Sequence, residues 1–133
     1  MSETIIPEAE NFYPKIGQLI YDAILDDFDT AWMRVEMMDD TWAYGMFYLK
    51  PNGRFQYLNT GLNKVTEKFR ELRNCFKSAG CEVWSGATFI LSAQGKFSID
   101  YTYEDVSDVG RGSERRKVWI KKYFGDNPVI DWE

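Results

Sequence analysis

Between Pro7 and Leu25, apolar side chains return every three or four residues, at Phe12, Ile16, Leu19, Ile20, Ala23 and Ile24, with Glu8, Glu10, Lys15, Gln18 and Asp22 between them. That period predicts an amphipathic helix. The period then falls to two: in AWMRVEMMDD, Met33, Val35 and Met37 alternate with Trp32, Arg34 and Glu36, and TWAYGMFYLK continues with aromatic residues on both faces. Two strands joined at Asp39-Asp40 are predicted. PNGR at 51–54 reads as a two-residue Asn-Gly hairpin turn leading into a third strand, RFQYLN. From Gly61 to Gly80 the helical period returns at Leu62, Val65, Phe69, Leu72, Phe76 and Ala79, with Gly80 as a left-handed stop.

A second hairpin follows, TFILS, the turn AQGK, then KFSIDYTYE, where Phe97, Ile99, Tyr101 and Tyr103 form a buried face and Ser98, Asp100, Thr102 and Glu104 a wet one. After a polar loop from Glu104 to Gly112, Ser113 is the expected N-cap of a last helix through Phe124. Trp119, Ile120, Tyr123 and Phe124 are its expected buried face, with Lys121 and Lys122 at its C-terminal end. Pro128 holds residues 126–133 out of that helix as a C-terminal tail. The fold class is α+β: a single antiparallel sheet of about five strands packed by three helices, in the order α-β-β-β-α-β-β-α. No linker, repeat or low-complexity run divides residues 1–133, so one domain is expected.

Composition narrows the function. The chain has 133 residues, 44% of them hydrophobic and 17% aromatic, enough for a folded core. Its 16 basic and 21 acidic side chains leave a net charge of -5, which repels nucleic acid and favours a basic partner, or simply keeps the protein in solution. The acidic start MSETIIPEAENF has no export signal, and no stretch is long enough to cross a membrane, so a cytoplasmic protein is expected. Cys75 and Cys81 have neither CxxC nor zinc spacing and read as free thiols.

The absence of histidine removes the commonest general base and excludes Ser-His-Asp and Cys-His catalysis. Three acidic groups remain: Asp26 with Asp27 and Asp29, Glu36 with Asp39 and Asp40, and Glu104 with Asp105 and Asp108. None has EF-hand spacing, and turns collect acids for solvation alone, so no metal or cofactor is assigned. GRGSERR at 110–116 lacks the GxxxxGK[ST] form of a nucleotide loop and reads as a turn before a helix. The tryptophans and tyrosines read as packing, because base-stacking sites pair aromatics with a cationic groove.

LRNCFKSAG, Trp84 followed by TFILS, GKFSIDYTYED and ERRKVWIKKY together resemble the YezG-like immunity proteins, bacterial antidotes encoded beside secreted polymorphic toxins. The resemblance spans roughly residues 7 to 125; Val83 stands where that family often has proline. It implies a cytoplasmic immunity protein, not an enzyme, that binds a cognate toxin domain, a nuclease in the commonest case. A nuclease presents a cationic cleft, so acids beside an aromatic anchor would be steered to it and plug it. The toxin-binding candidates are the hairpin tip Asp39, Asp40 and Trp42 and the loop Glu104, Asp105 and Asp108. A homo-oligomer is compatible with the sequence. The alternatives are a small carboxylate- or metal-dependent hydrolase and an adaptor for another basic protein. A toxin gene immediately upstream would separate immunity from both.

Overall fold

A computed structural model describes residues 7–132. Residues 1–6, on which part of the export expectation rests, lie outside that range. Three layers are present: helices, a six-stranded sheet, and one helix on the far face. The N-terminal helix comes as two segments, α1 (Pro7–Glu10) and α2 (Phe12–Ala23), separated at Asn11. Pro14 explains the break, since it has no N–H to give to the Glu10 carbonyl and its ring crowds that group. The acidic run from Asp26 lies beyond the helix end, where Tyr48 Oη donates to Asp26 Oδ2 at 2.6 Å.

The strands β1 (Thr30–Met37), β2 (Trp42–Leu49) and β3 (Phe55–Leu58) form an antiparallel meander. After α3 (Asn63–Ser78), β4 (Gly86–Ser92) pairs with the free side of β1, and β5 (Phe97–Thr102) pairs with β4. A short 3-10 turn, Val109–Arg111, opens α4 (Gly112–Phe124). The spatial order is β5-β4-β1-β2-β3-β6. Its last member, β6 (Ile130–Asp131), lies parallel to β3 with Ile130 opposite Phe55. The sheet is therefore mixed and has six strands, not five antiparallel ones. Two residues are too few to carry a periodicity, so the sequence pattern could not announce β6. Ion pairing holds it: Asp131 accepts from Lys50 Nζ at 2.7 Å and from the Arg54 guanidinium.

Both outer hairpins use one construction. In the first, Gly53 N–H donates to Lys50 O at 3.0 Å and Lys50 N–H to Arg54 O at 2.9 Å, with Gly53 at φ +83°. Ser92, Gly95 (φ +89°) and Lys96 repeat it. These are three-residue loops with one left-handed glycine, not the two-residue Asn-Gly turn expected at 51–54. Gly80, at φ +72°, ends α3 as expected. Cys81 N–H reaches Phe76 O and Gly80 N–H reaches Lys77 O, each at 3.1 Å, the paired bonds of a Schellman cap.

The main core lies between the sheet and the pair α2 and α3. Ile16 and Ile20, then Leu62, Val65, Phe69, Leu72 and Phe76, meet Ala31, Met33, Val35, Met37, Met46, Phe89 and Leu91 in one buried cluster. Ala79 is exposed and does not join the stripe. Trp84 is completely buried among Phe69 and Tyr101, and its indole N–H has no acceptor among the described residues. No residue of β5 is fully buried, because it is an edge strand; Phe97 and Tyr103, expected inside, are exposed.

On the opposite face, Phe47 is the buried centre of an aromatic layer under α4. Trp119 stacks on Phe47 at 5.2 Å between centroids and Phe124 on Phe55 at 4.1 Å. Two polar bonds fix the helix: Trp119 Nε1 donates to Thr88 Oγ1 at 2.8 Å, and Tyr123 Oη to Asp100 Oδ2 at 2.6 Å. None of α4 is fully buried, so the face expected from Trp119 to Phe124 is only half covered. Trp132, just past β6, lies 5.0 Å from Tyr57 under the Arg116 guanidinium. No helix among the described residues is long and apolar enough to cross a membrane.

Candidate functional site

The loop after β5 is pinned at both ends and in the middle. Ser85 Oγ donates to Glu104 O at 2.6 Å, Val106 is buried, and Asp108 caps the 3-10 turn by accepting from Gly110 N–H at 3.1 Å. This capping corrects the expectation for Ser113: α4 begins at Gly112 with no side-chain cap of its own. Asp105 Oδ1 accepts from Ser107 N–H at 2.8 Å, an Asx turn. Hydrogen bonding from Ser107, through its side chain first and then its backbone N–H, holds the Asp105 carboxyl below the usual carboxylate range. The result is a fixed loop presenting its carboxylates outward.

Those carboxylates line an open cleft of about 460 Å³ formed by Glu104, Asp105, Asp108, Arg111, Glu114, Arg115 and Val118. Arg111 Nε is paired with Glu114 at 2.8 Å within the lining. A smaller cavity of about 90 Å³ adjoins it, walled by Glu36, Met38, Trp42, Val106, Val109 and Arg115 among others. Arg115 is common to both. Val109 and Val118 stand 76% and 70% exposed and Trp42 43%, so apolar surface runs alongside the acids.

Beneath Arg115 lies a buried ionic triad. Glu36 accepts from Arg115 Nε and from Arg34 Nη2, each at 2.8 Å, and from Arg115 Nη2 at 3.1 Å. All three side chains are nearly buried. Burial lowers the pKa of Arg34, with Glu36 opposing that shift; the hydrogen bonds to Glu36 raise that of Arg115. Arg115 also donates through Nη1 to Asp108 O at 2.9 Å, so the triad ties α4, the acidic loop and β1 together. The sequence offers Glu36 only as one of a local acidic group; its pairing with Arg115 leaves no local signal, because the two residues lie 79 apart.

The structure thus brings Glu104, Asp105 and Asp108 into one cleft and sets Trp42 in the adjoining cavity. Asp39 faces elsewhere. It accepts from Arg73 Nη1 at 2.9 Å and Lys77 Nζ at 3.0 Å on α3, and those bonds keep its carboxyl below the ordinary range. Asp40 is exposed in the turn that Met38 N–H closes onto Thr41 O at 2.8 Å. Trp42 carries the Arg70 guanidinium 4.5 Å from its ring centroid. Glu36, grouped with Asp39 and Asp40 by sequence, points to the opposite face of the sheet, as alternation along β1 requires. Among the described residues no group of three or more His, Cys, Asp or Glu is placed to hold a metal ion.

Comparison with known proteins adds the decisive observation: the model of the family described as immunity protein YezG-like matches residues 53–132, from the β2–β3 turn through β6. The chain belongs to the YezG-like immunity protein family. The Immunity protein YezG of Bacillus spizizenii is 29% identical over 139 residues, covering 92% of this chain and 86% of that protein. That of Bacillus subtilis strain 168 is 26% identical over 136 residues, covering 90% and 89%. An immunity protein acts by inhibiting a cognate toxin and is not an enzyme. The acidic loop, α4 and β6 all fall within the matched region.

Proposed function

We propose that this YezG-like protein neutralises a nuclease domain of a polymorphic toxin in the cytoplasm of the cell that makes it, by seating the acidic cleft and the Trp42 cavity against the toxin's basic active-site cleft. The observation that carries the reading is the joining of two separate segments, the β1–β2 tip at Trp42 and the loop at Glu104, Asp105 and Asp108, around the shared Arg115. Acids supply steering to a cationic partner, while Trp42, Val109 and Val118 supply apolar area at the centre of the contact. A net charge of -5 acts in the same direction.

The test removes charge without removing capping bonds. Glu104→Gln, Asp105→Asn and Asp108→Asn together keep oxygen acceptors for Ser107 and Gly110 N–H while deleting three negative charges. Association with the toxin domain encoded beside this gene, followed by stopped flow, should slow for this variant and lose much of its salt dependence. Glu71→Gln, which touches only its surface pair with Lys68 on α3, should leave the rate unchanged. Equal rates for wild type and the loop variant would remove the acidic cleft from the interface.

A further inference from the structure

The two edges of the sheet are finished differently. The β6 edge is two residues long and closed by the charges of Lys50, Asp131 and Arg54. The β5 edge runs six residues, FSIDYT, with no proline and no covering element paired to it. Ser92 N–H donates to Lys96 O at 2.8 Å, which turns the backbone groups of Lys96, Ser98, Asp100 and Thr102 towards β4. By alternation, the N–H and C=O of Phe97, Ile99 and Tyr101 point away from the sheet. None has a partner among the described residues. Phe97 is 45% exposed and Tyr103 51%, so the strip is apolar as well as unpaired. Such an edge is a template for another strand.

Independently of the toxin reading, we propose that β5 pairs with β5 of a second copy, antiparallel about a two-fold axis at Ile99, extending one sheet across two molecules. That register pairs the strand with itself over its greatest length without setting like charges directly opposite. Ile99 meets Ile99, Phe97 meets Tyr101 on the helix side, and Ser98 meets Asp100 on the α4 side; no like charges stand directly opposite, and Asp100 is diagonal to both Lys96 and Asp100 of the second copy. Because the outward groups belong to the odd-numbered residues, the neighbouring registers lie two residues away. One sets Asp100 against Asp100. The other sets Lys96 opposite Asp100 but moves Tyr101 opposite Gly95, in the turn, and shortens the ladder. Closed two-fold pairing also leaves no β5 edge for further addition.

Sedimentation equilibrium on the full chain, with residue-resolved amide exchange from micromolar to millimolar concentration, tests this. The expected result is a dimer in which the amides of Phe97, Ile99 and Tyr101 are protected at high concentration and lose protection on dilution, while those of Ser98 and Asp100 stay protected throughout. Lys96→Glu should weaken the dimer roughly tenfold by setting like charges diagonally across the axis, and Lys64→Glu, exposed on α3, should not. A monomer at millimolar concentration would overturn the proposal. So would a dimer with unprotected odd-numbered amides, protection insensitive to dilution, or protection that appears only when the toxin domain is added, which would give the edge to the toxin.

Discussion

The two faces of this sheet are built from different materials. Under α2 and α3 the contact is continuous and dry, with Met and aliphatic side chains from β1, β2 and β4 and Phe89 of β4 meeting helix residues such as Ile16, Phe69 and Leu72 at no measurable exposure. Under α4 the contact is made of long rings and charges: Phe47, Phe55, Trp119 and Phe124, the Glu36 triad, and the bonds to Thr88 and Asp100. The first face carries stability through area removed from water. The second fixes where α4 and the acidic loop stand, through directional bonds, and the candidate binding cleft lies at its edge. Rigidity of the site and stability of the core are therefore supplied by separate layers.

Phe69→Ala strikes the dry face, and a loss of about 3–5 kcal/mol in denaturant melts is expected from the cavity it leaves. A loss near zero would mean the α3 stripe is not the main support. On the other face, Glu36→Gln should cost about 3 kcal/mol, because two guanidiniums remain in a nearly buried place with no counter-charge. Arg34→Met should cost less than Glu36→Gln, since it leaves the Glu36–Arg115 pair intact and removes the arginine that burial most disfavours. If the order is reversed, Arg34 rather than Arg115 is the principal partner of Glu36.

A smaller effect separates the faces by pH. Burial and the bond to Asp100 push the Tyr123 hydroxyl up to about 12. Its folded value is raised, so its contribution is complete below the ordinary tyrosine value of about 10 and is lost as pH rises towards the folded value. Tyr123→Phe should cost about 1 kcal/mol at neutral pH and flatten that alkaline limb. At the acid end, hydrogen bonds from Arg54 and then Lys50 hold the Asp131 carboxyl well below its ordinary value of about 4. Its stabilisation of β6 is present above that ordinary value and fades as pH falls through the lower folded one. Asp131→Asn should speed amide exchange in β6 with little change in global melting, a contrast to the core variant that exchange and melting curves together would show.

Local order was legible wherever burial repeats along the chain. The stripe from Leu62 to Phe76, the alternation of Met33, Val35 and Met37, and the left-handed stop at Gly80 follow from periods of 3.6 and 2 and from the missing Cβ of one residue. The family, too, was carried by sequence order. Pro14 splitting the first helix was equally present in the sequence, as a missing N–H, though the apolar period ran straight across it. What only the tertiary structure decided depends on residues far apart in the chain. That Asp39 is held by Arg73 and Lys77 while Glu36 turns to Arg115 comes from strand alternation combined with which helix covers which face. Likewise β6 exists because Asp131 finds Lys50 and Arg54 across the turn of a distant hairpin. Periodicity records what a residue's own element buries; charge pairs and strand partners join separate elements, so they are determined only when the whole chain is packed.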